Sequence, residues 1–300
     1  MHHPVPRYAF PALILANLFL AAGPWLVRLA QDVSHIGPVS AAFWRLALAV
    51  PVLAIFAVRQ SKGEPFPRWA LIAAVMAGGV FFAADLAAWH AGILITKLAN
   101  ATLFGNFASF LFTIYGFILL RRMPHKAQGL AFLLAGIGTI LLLGTSYELS
   151  SDHFAGDLLA LLAGVFYAFY LIAVDRARRA MKAWPVLLVA SIAGAIPLLG
   201  FALALGETVI PQDWGPVVLL AISSQLVGQG LLVYAMGHLS PVVVGLCFLL
   251  QPLAAAGIGW AVYGEAMSAL DGIGALLVCA ALVLIRLPGR RLATAVPEAQ

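Results

Sequence analysis

The sequence predicts an all-α membrane protein, ten transmembrane helices arranged as two inverted five-helix repeats. Three observations carry that prediction. Hydrophobic residues make up 63% of the 300 residues and charged residues only 10%, where a soluble domain carries about 25% charged residues. The apolar residues gather into runs of the length a bilayer demands. The second half of the chain also falls on the first with an offset of 143 residues.

A chain this apolar cannot cover its own surface in water. A soluble enzyme, a nucleic-acid binder, a disordered chain and a secreted disulfide scaffold are therefore excluded. Cys247 and Cys279 both lie inside apolar runs and read as small core residues. A hydrocarbon core about 30 Å thick takes roughly 20 residues per helix. Ten runs have about that length: 9–29, 38–58, 69–92, 98–120, 127–145, 155–174, 184–205, 214–236, 241–263 and 268–286. Their unbroken apolarity favours helices, because barrel strands alternate in segments of about ten residues.

Polar residues inside these runs need a partner or a cavity. The first run has a single arginine before it and no small-residue cleavage site, so it reads as a retained helix. It carries Asn17, with Pro24 and Arg28 on the same face. The second carries Arg45 and Pro51, and the third Asp85, Trp89 and His90. Asp85 and Trp89 share a helix face, while His90 points roughly 140° away from Asp85. Runs two and three are antiparallel, which sets Arg45 and Asp85 at similar depth. Two readings stand: an ion pair locking two helices, or the two ends of a site for a zwitterion. A proton site at Asp85 or His90 is a third, since histidine titrates near neutrality.

The fourth run places Thr102, Asn106, Ser109 and Thr113 on one helical face. That pattern suits either close packing with hydrogen bonds across helices or one wall of a solute path. Asn100 at its entrance reads as a cap or turn residue. The sixth run has Tyr167 and Tyr170, the eighth Gln225 and Gln229 around Gly228, and the ninth Gln251 and Pro252. Pro197 interrupts the seventh. These amides and phenols could bind one another or line a neutral, aromatic-walled cavity for a small amphipathic solute. Trp69, Trp184 and Trp214 fall at run ends, as an interfacial belt requires.

Charge placement orients the chain. Arg7, Arg59, Lys62, Arg68, Arg121, Arg122, Lys126, Arg176, Arg178, Arg179, Lys182, Arg286, Arg290 and Arg291 fall on one side, and only Arg28, Arg45 and Lys97 elsewhere. Basic loops mark the cytoplasm, so both termini are expected there. Asp32, Glu148, Asp152, Asp157, Glu207, Asp213, Glu265 and Asp271 fall opposite. The net charge of +5 thus records insertion, not nucleic-acid binding.

The repeat sets residues 96–124 on 239–267, with Ala108-Ser109 on Gln251-Pro252 and Arg121-Arg122 on Gly264-Glu265. Five spans per repeat forces the halves to cross in opposite directions. Inverted repeats with a site near the midplane typify secondary transporters. The domains expected are a first repeat over 1–145, a second over 155–286 and a basic cytoplasmic tail over 287–300.

The phrases GPVSAAFWRLALAVP (37–51), ADLAAWHAGILITKLANATLFGN (84–106) and LSPVVVGLCFLLQPLAAAGIGWAVYGEAMS (239–268) resemble the drug/metabolite transporter superfamily, specifically its EamA-type members, YddG-like amino-acid exporters among them. Two positions of the first half depart from the pattern: Ser109 stands in place of a proline and Arg122 in place of a glutamate. The resemblance implies a multi-pass transporter of a bacterial inner membrane that exports amino acids or related small metabolites by alternating access. It implies no enzyme activity and no cofactor. The expected partners are a small-molecule solute and membrane lipid. The oligomeric state is left open, a monomer being sufficient. The candidate substrate-binding residues are Asn17, Arg45, Asp85, Trp89, His90, Thr102, Asn106, Tyr167, Tyr170, Gln225, Gln229 and Gln251. The sequence has no HExxH, GxSxG or P-loop. A lipid-linked sugar flippase and an intramembrane enzyme on a lipid are the alternatives.

Overall fold

The structure, a computed structural model, describes residues 6–96, 101, 104–121, 126–144, 152–263 and 268–286. Thr102, Lys97, Asn100, Arg122, Glu148, Glu265 and the tail 287–300 lie outside the described residues. Among the described residues all regular structure is helical. In chain order the helices are α1 (Ala9–Ala21), α2 (Gly23–Ser34), α3 (Pro38–Ala47), α4 (Ala49–Ser61), α5 (Trp69–Ile95), α6 (Phe107–Leu120) and α7 (Lys126–Gly144). The second half has α8 (Phe154–Arg178), α9 (Ala183–Ala204), α10 (Gly215–Leu220), a π-helical segment (Ala221–Gln229), α11 (Gly230–Met236), α12 (Pro241–Phe248), α13 (Leu250–Tyr263) and α14 (Ala269–Arg286).

These helices follow the apolar runs. Among the described residues, seven stretches are long and apolar enough to cross a membrane: Ala9–Ser34, Pro38–Ser61, Trp69–Gly92, Phe154–Arg178, Ala183–Ala204, Gly215–Met236 and Pro241–Ile258. Shorter apolar helices, Phe107–Leu120, Lys126–Leu141 and Ala269–Leu284, stand at the other three runs.

Three runs break in mid-course, at Ala22, Leu48 and Leu249. Proline explains where. Pro24, Pro51 and Pro252 each sit in the first turn of the following helix, where a missing N–H costs nothing. Pro197 lies inside α9 without breaking it. A fourth break, at Asn106, has no proline. Here the 143-residue offset reappears in the helix bounds. Phe107–Leu120 falls on Leu250–Tyr263, and the break at Asn106 falls on the break at Leu249.

The packing obeys the same exchange. Helix α5 packs on α8, and its counterpart, the α10–π–α11 stretch, packs on α1 and α2. Helix α6 packs on α8, and α12 and α13 pack on α1. The pairs that map onto themselves also touch: α3 and α4 with α9, α6 with α12, α7 with α14. Between helices in lipid the apolar effect offers little, so close packing and hydrogen bonds must supply the contact. Glycine supplies it on one seam. A Cβ at Gly156 of α8 would stand 3.0 Å from the carbonyl oxygen of Gly92 on α5, and one at Gly164 only 2.9 Å from that of Gly105. The counterpart seam has a broken α1–α2 and a π segment instead. Buried residues of both halves, among them Leu13, Phe82, Leu171, Leu187, Val233 and Phe248, form one apolar core.

The two ends of the bundle differ in charge. At one end the Trp184 N–H donates to Gln60 (3.0 Å), Lys182 pairs with Glu64 (3.4 Å), and Arg178 donates to the carbonyls of Val233 and Met181. At the other, the Thr96 hydroxyl donates to Asp157 (2.6 Å). There Glu207 also accepts the N–H groups of Val39 (3.2 Å) and Ser40 (2.7 Å) at the start of α3. Each end ties one half to the other.

Candidate functional site

Between these ends, six of the residues singled out from sequence meet in the bundle interior. Helix α3 supplies Arg45 from its last turn, just before the Leu48 break. Its Nε donates to Gln225 Oε1 (3.3 Å), and Gln225 Nε2 donates to Ser191 Oγ on α9 (3.0 Å). The Arg45 guanidinium carbon lies 5.5 Å from the centre of the Phe82 ring, within cation–π range.

Phe82 begins an aromatic wall. It stacks on Tyr170 (4.5 Å between ring centres), Tyr170 on Tyr167 (5.7 Å), and Tyr167 meets Phe248 edge-on (5.8 Å). The Tyr170 hydroxyl donates to Gln229 Oε1 (3.2 Å), and Gln229 Nε2 donates to the Tyr167 oxygen (3.4 Å). Gln225 and Gln229 both belong to the π segment. The sequence suggested an ordinary α-helix there. Segments bonded i to i+5 are rare and concentrate at functional sites. Inside it the Ser223 hydroxyl bonds back to Leu219 O (2.7 Å), and the buried Ser224 hydroxyl has no partner among the described residues.

Asp85 lies one turn beyond Phe82 on α5, enclosed by protein and within electrostatic reach of Arg45, Tyr167 and Tyr170. Its side chain is half-buried. Among the described residues no ion pair within 4.0 Å joins it to Arg45. That corrects the reading of these two as a helix-locking pair. Arg45 spends its Nε on Gln225 instead, and its Nη atoms donate to no described residue.

The other described candidates have contacts of their own, and His90 also lies within electrostatic reach of Arg45. Asn17 and Gln251 pair across the halves, Gln251 Nε2 donating to Asn17 Oδ1 (2.9 Å), while Asn17 Nδ2 donates to Leu13 O (2.8 Å). His90 is buried edge-on to Trp89 (5.2 Å). The Trp89 ring covers Gly105, whose Cβ would stand 3.3 Å from it. Asn106 is half-buried at the break before α6. The polar face of that helix serves packing at Ser109 and Thr113: the Thr113 hydroxyl donates to Ser109 O (2.7 Å), and both press on Gly245 of α12. Thr102, the remaining candidate, lies outside the described residues.

A family model described as the EamA-like transporter family matches residues 8–144 and 154–287. The chain belongs to the EamA-like transporter family. This EamA-like protein is 23% identical over 278 residues to an uncharacterized transporter of Archaeoglobus fulgidus, covering 91% of this chain and 96% of that one. A solved crystal structure shares its fold with a TM-score of 0.77 at 16% identity, over 93% of this chain and 98% of the other. It is therefore a multi-pass membrane transporter whose cargo is a small-molecule solute.

Sequence reasoning about this EamA-like transporter missed Ser191, Phe82 and Phe248. Ser191 is one hydroxyl in the apolar stretch VASIAG, and a lone serine in a membrane helix carries little signal. Phe82 and Phe248 look like any apolar residue until their rings are seen against Arg45 and Tyr167.

Proposed function

We propose that this protein exports amino acids or related small metabolites across a bacterial inner membrane by alternating access. In this reading ten helices cross the bilayer, with domains over 1–145 and 155–286, and both termini face the cytoplasm because the basic end does. One observation carries the choice of substrate. A guanidinium whose Nη atoms donate to no described residue and a carboxylate within its electrostatic reach, with no ion pair between them among the described residues, face the same interior. A zwitterion satisfies both, its carboxylate on Arg45 and its ammonium on Asp85, while the wall of Phe82, Tyr167 and Tyr170 packs against its body. Export and alternating access follow from the family likeness and from the inverted halves. The scarcity of acids inside the spans favours movement down the solute's own gradient. The buried imidazole of His90, within electrostatic reach of Arg45, supports a second reading, in which a returning proton drives export.

Proteoliposomes preloaded with radiolabelled amino acids test both. Efflux at equal pH, unaffected by a protonophore, is the expected result. Efflux that needs a pH gradient would select proton coupling. Retention of every amino acid would refute the proposal, and thermal stabilisation by lipid-linked sugars would then point to a flippase.

A further inference from the structure

The geometry points to Ser191 as a positioning residue for Arg45, acting through the Gln225 amide so that only the Nη edge of the guanidinium is left for a substrate carboxylate. This rests on the reading of the site as one for amino acids.

A guanidinium has five N–H donors and no acceptor. The atom of Gln225 facing Arg45 Nε at 3.3 Å must therefore be the carbonyl oxygen. Its NH2 group is then forced to the opposite side, where Ser191 Oγ accepts at 3.0 Å. Gln225 and Ser191 are both wholly buried. A buried amide that loses its acceptor is left with an unsatisfied donor. Without Ser191 the amide is free to turn, and its NH2 would then face the guanidinium, donor against donor.

The consequence falls on Arg45. A guanidinium can grip a planar carboxylate through two parallel N–H bonds, from the Nε side or from the Nη pair. Gln225 occupies the Nε side. Neither Nη atom donates to a described residue, and the face of the group lies over Phe82. One edge remains, and Asp85 stands unpaired within its electrostatic reach. Three helices thus fix one orientation: α3 carries the cation, the π segment the amide and α9 the hydroxyl.

The test compares wild type with Ser191→Ala in proteoliposomes, using radiolabelled amino acids and the matching amino amides, which lack the carboxylate. The expected result is a rise of about three- to tenfold in KM for the amino acids, with the maximal rate and the KM of any amide carried both within about twofold of wild type. An unchanged KM, or an equal rise for acids and amides, would overturn the assignment.

A second measurement needs no substrate. Ser191 and Arg45 share no hydrogen bond, so Ser191→Ala and Arg45→Ala should lower the melting temperature independently unless Gln225 links them. A combined loss smaller than the sum, restored to additivity in a Gln225→Leu background, supports the relay, and additivity throughout contradicts it. If wild type carries no amino acid, the functional reading fails and this cycle alone decides the role of Ser191.

Discussion

The carboxylate of Glu207 accepts the backbone N–H of Ser40 at 2.7 Å, so an acid beyond the end of α9 caps the start of α3 in the other half. Val39 donates to the same carboxylate, and the Trp44 indole donates to Val209 O at 2.7 Å beside it. The exchange repeats at the basic end, where Gln60 in the last turn of α4 accepts the backbone N–H of Trp184 in the first turn of α9. Helices α3–α4 and α9 are therefore fastened to each other at both ends. Removing the cap with Glu207→Ala should cost about 0.5–2 kcal/mol, read as a lowered melting temperature in nanodiscs. Glu207→Gln keeps an acceptor and should lose less. Equal stability of all three proteins would show that the cap contributes nothing.

The glycine seam gives a sharper contrast. Gly156 meets the backbone of α5 at Gly92, whereas a Cβ at Gly200 would meet nothing within 4 Å. Gly156→Val has to push two backbones apart and should destabilise by about 1–3 kcal/mol. Gly200→Ala adds only helix propensity and should be neutral or stabilising by up to about 1 kcal/mol. Matched thermal unfolding of the two variants checks the difference.

Gln251 and Asn17 join the halves through a single hydrogen bond inside the bundle. Hydrogen bonds between membrane helices average about 0.6 kcal/mol in double-mutant cycles. Asn17→Leu and Gln251→Leu should show a coupling of that order when combined. A coupling near zero would mean that the two amides are neighbours only.

His238 lies between the sixth and seventh crossing-length segments, against the Tyr234 ring (4.8 Å). Burial first, and the Arg178 guanidinium second, hold its pKa below the ordinary 6.5. The unfolded chain therefore takes up a proton that the folded chain refuses as pH falls below about 6.5. Stability conferred by neutral His238 is complete above that pH and declines below it. His238→Gln should flatten this part of the melting-temperature profile between pH 7 and pH 5. A profile unchanged by the substitution would show that His238 does not contribute.

Much of the fold was legible because lipid imposes simple rules. Run length located the helices, but Pro24, Pro51 and Pro252 read only as residues inside continuous runs, and the breaks just before them emerge from the structure. The break at Asn106, set on that at Leu249 by the offset of 143, was likewise not legible, since Ser109 stands there in place of the proline and the backbone lies against Gly164 instead. Polarity inside apolar runs likewise selected Arg45, Asp85, Tyr167, Tyr170, Gln225 and Gln229. The π segment was not legible, since Gln225 and Gln229 fall four apart, as they would on an α-helix face. Nor was the separation of Arg45 from Asp85. Depth alone suggested a pair, and only the position of Gln225 shows which donor of Arg45 is engaged. Ser109 and Thr113 share a polar face that sequence could assign either to packing or to a solute path. Gly245, far away in the chain, decides for packing.

The central claim is that Arg45 and Asp85 hold the two charges of one substrate. Amino-acid efflux from proteoliposomes, measured for wild type, Arg45→Ala and Asp85→Asn side by side, tests it most directly. The account predicts efflux by wild type at equal pH on both sides. It also predicts a KM raised at least about tenfold in each variant, the loss of one charge-assisted bond, with amino amides affected by Asp85→Asn and spared by Arg45→Ala. Efflux that is indifferent to both substitutions would contradict it.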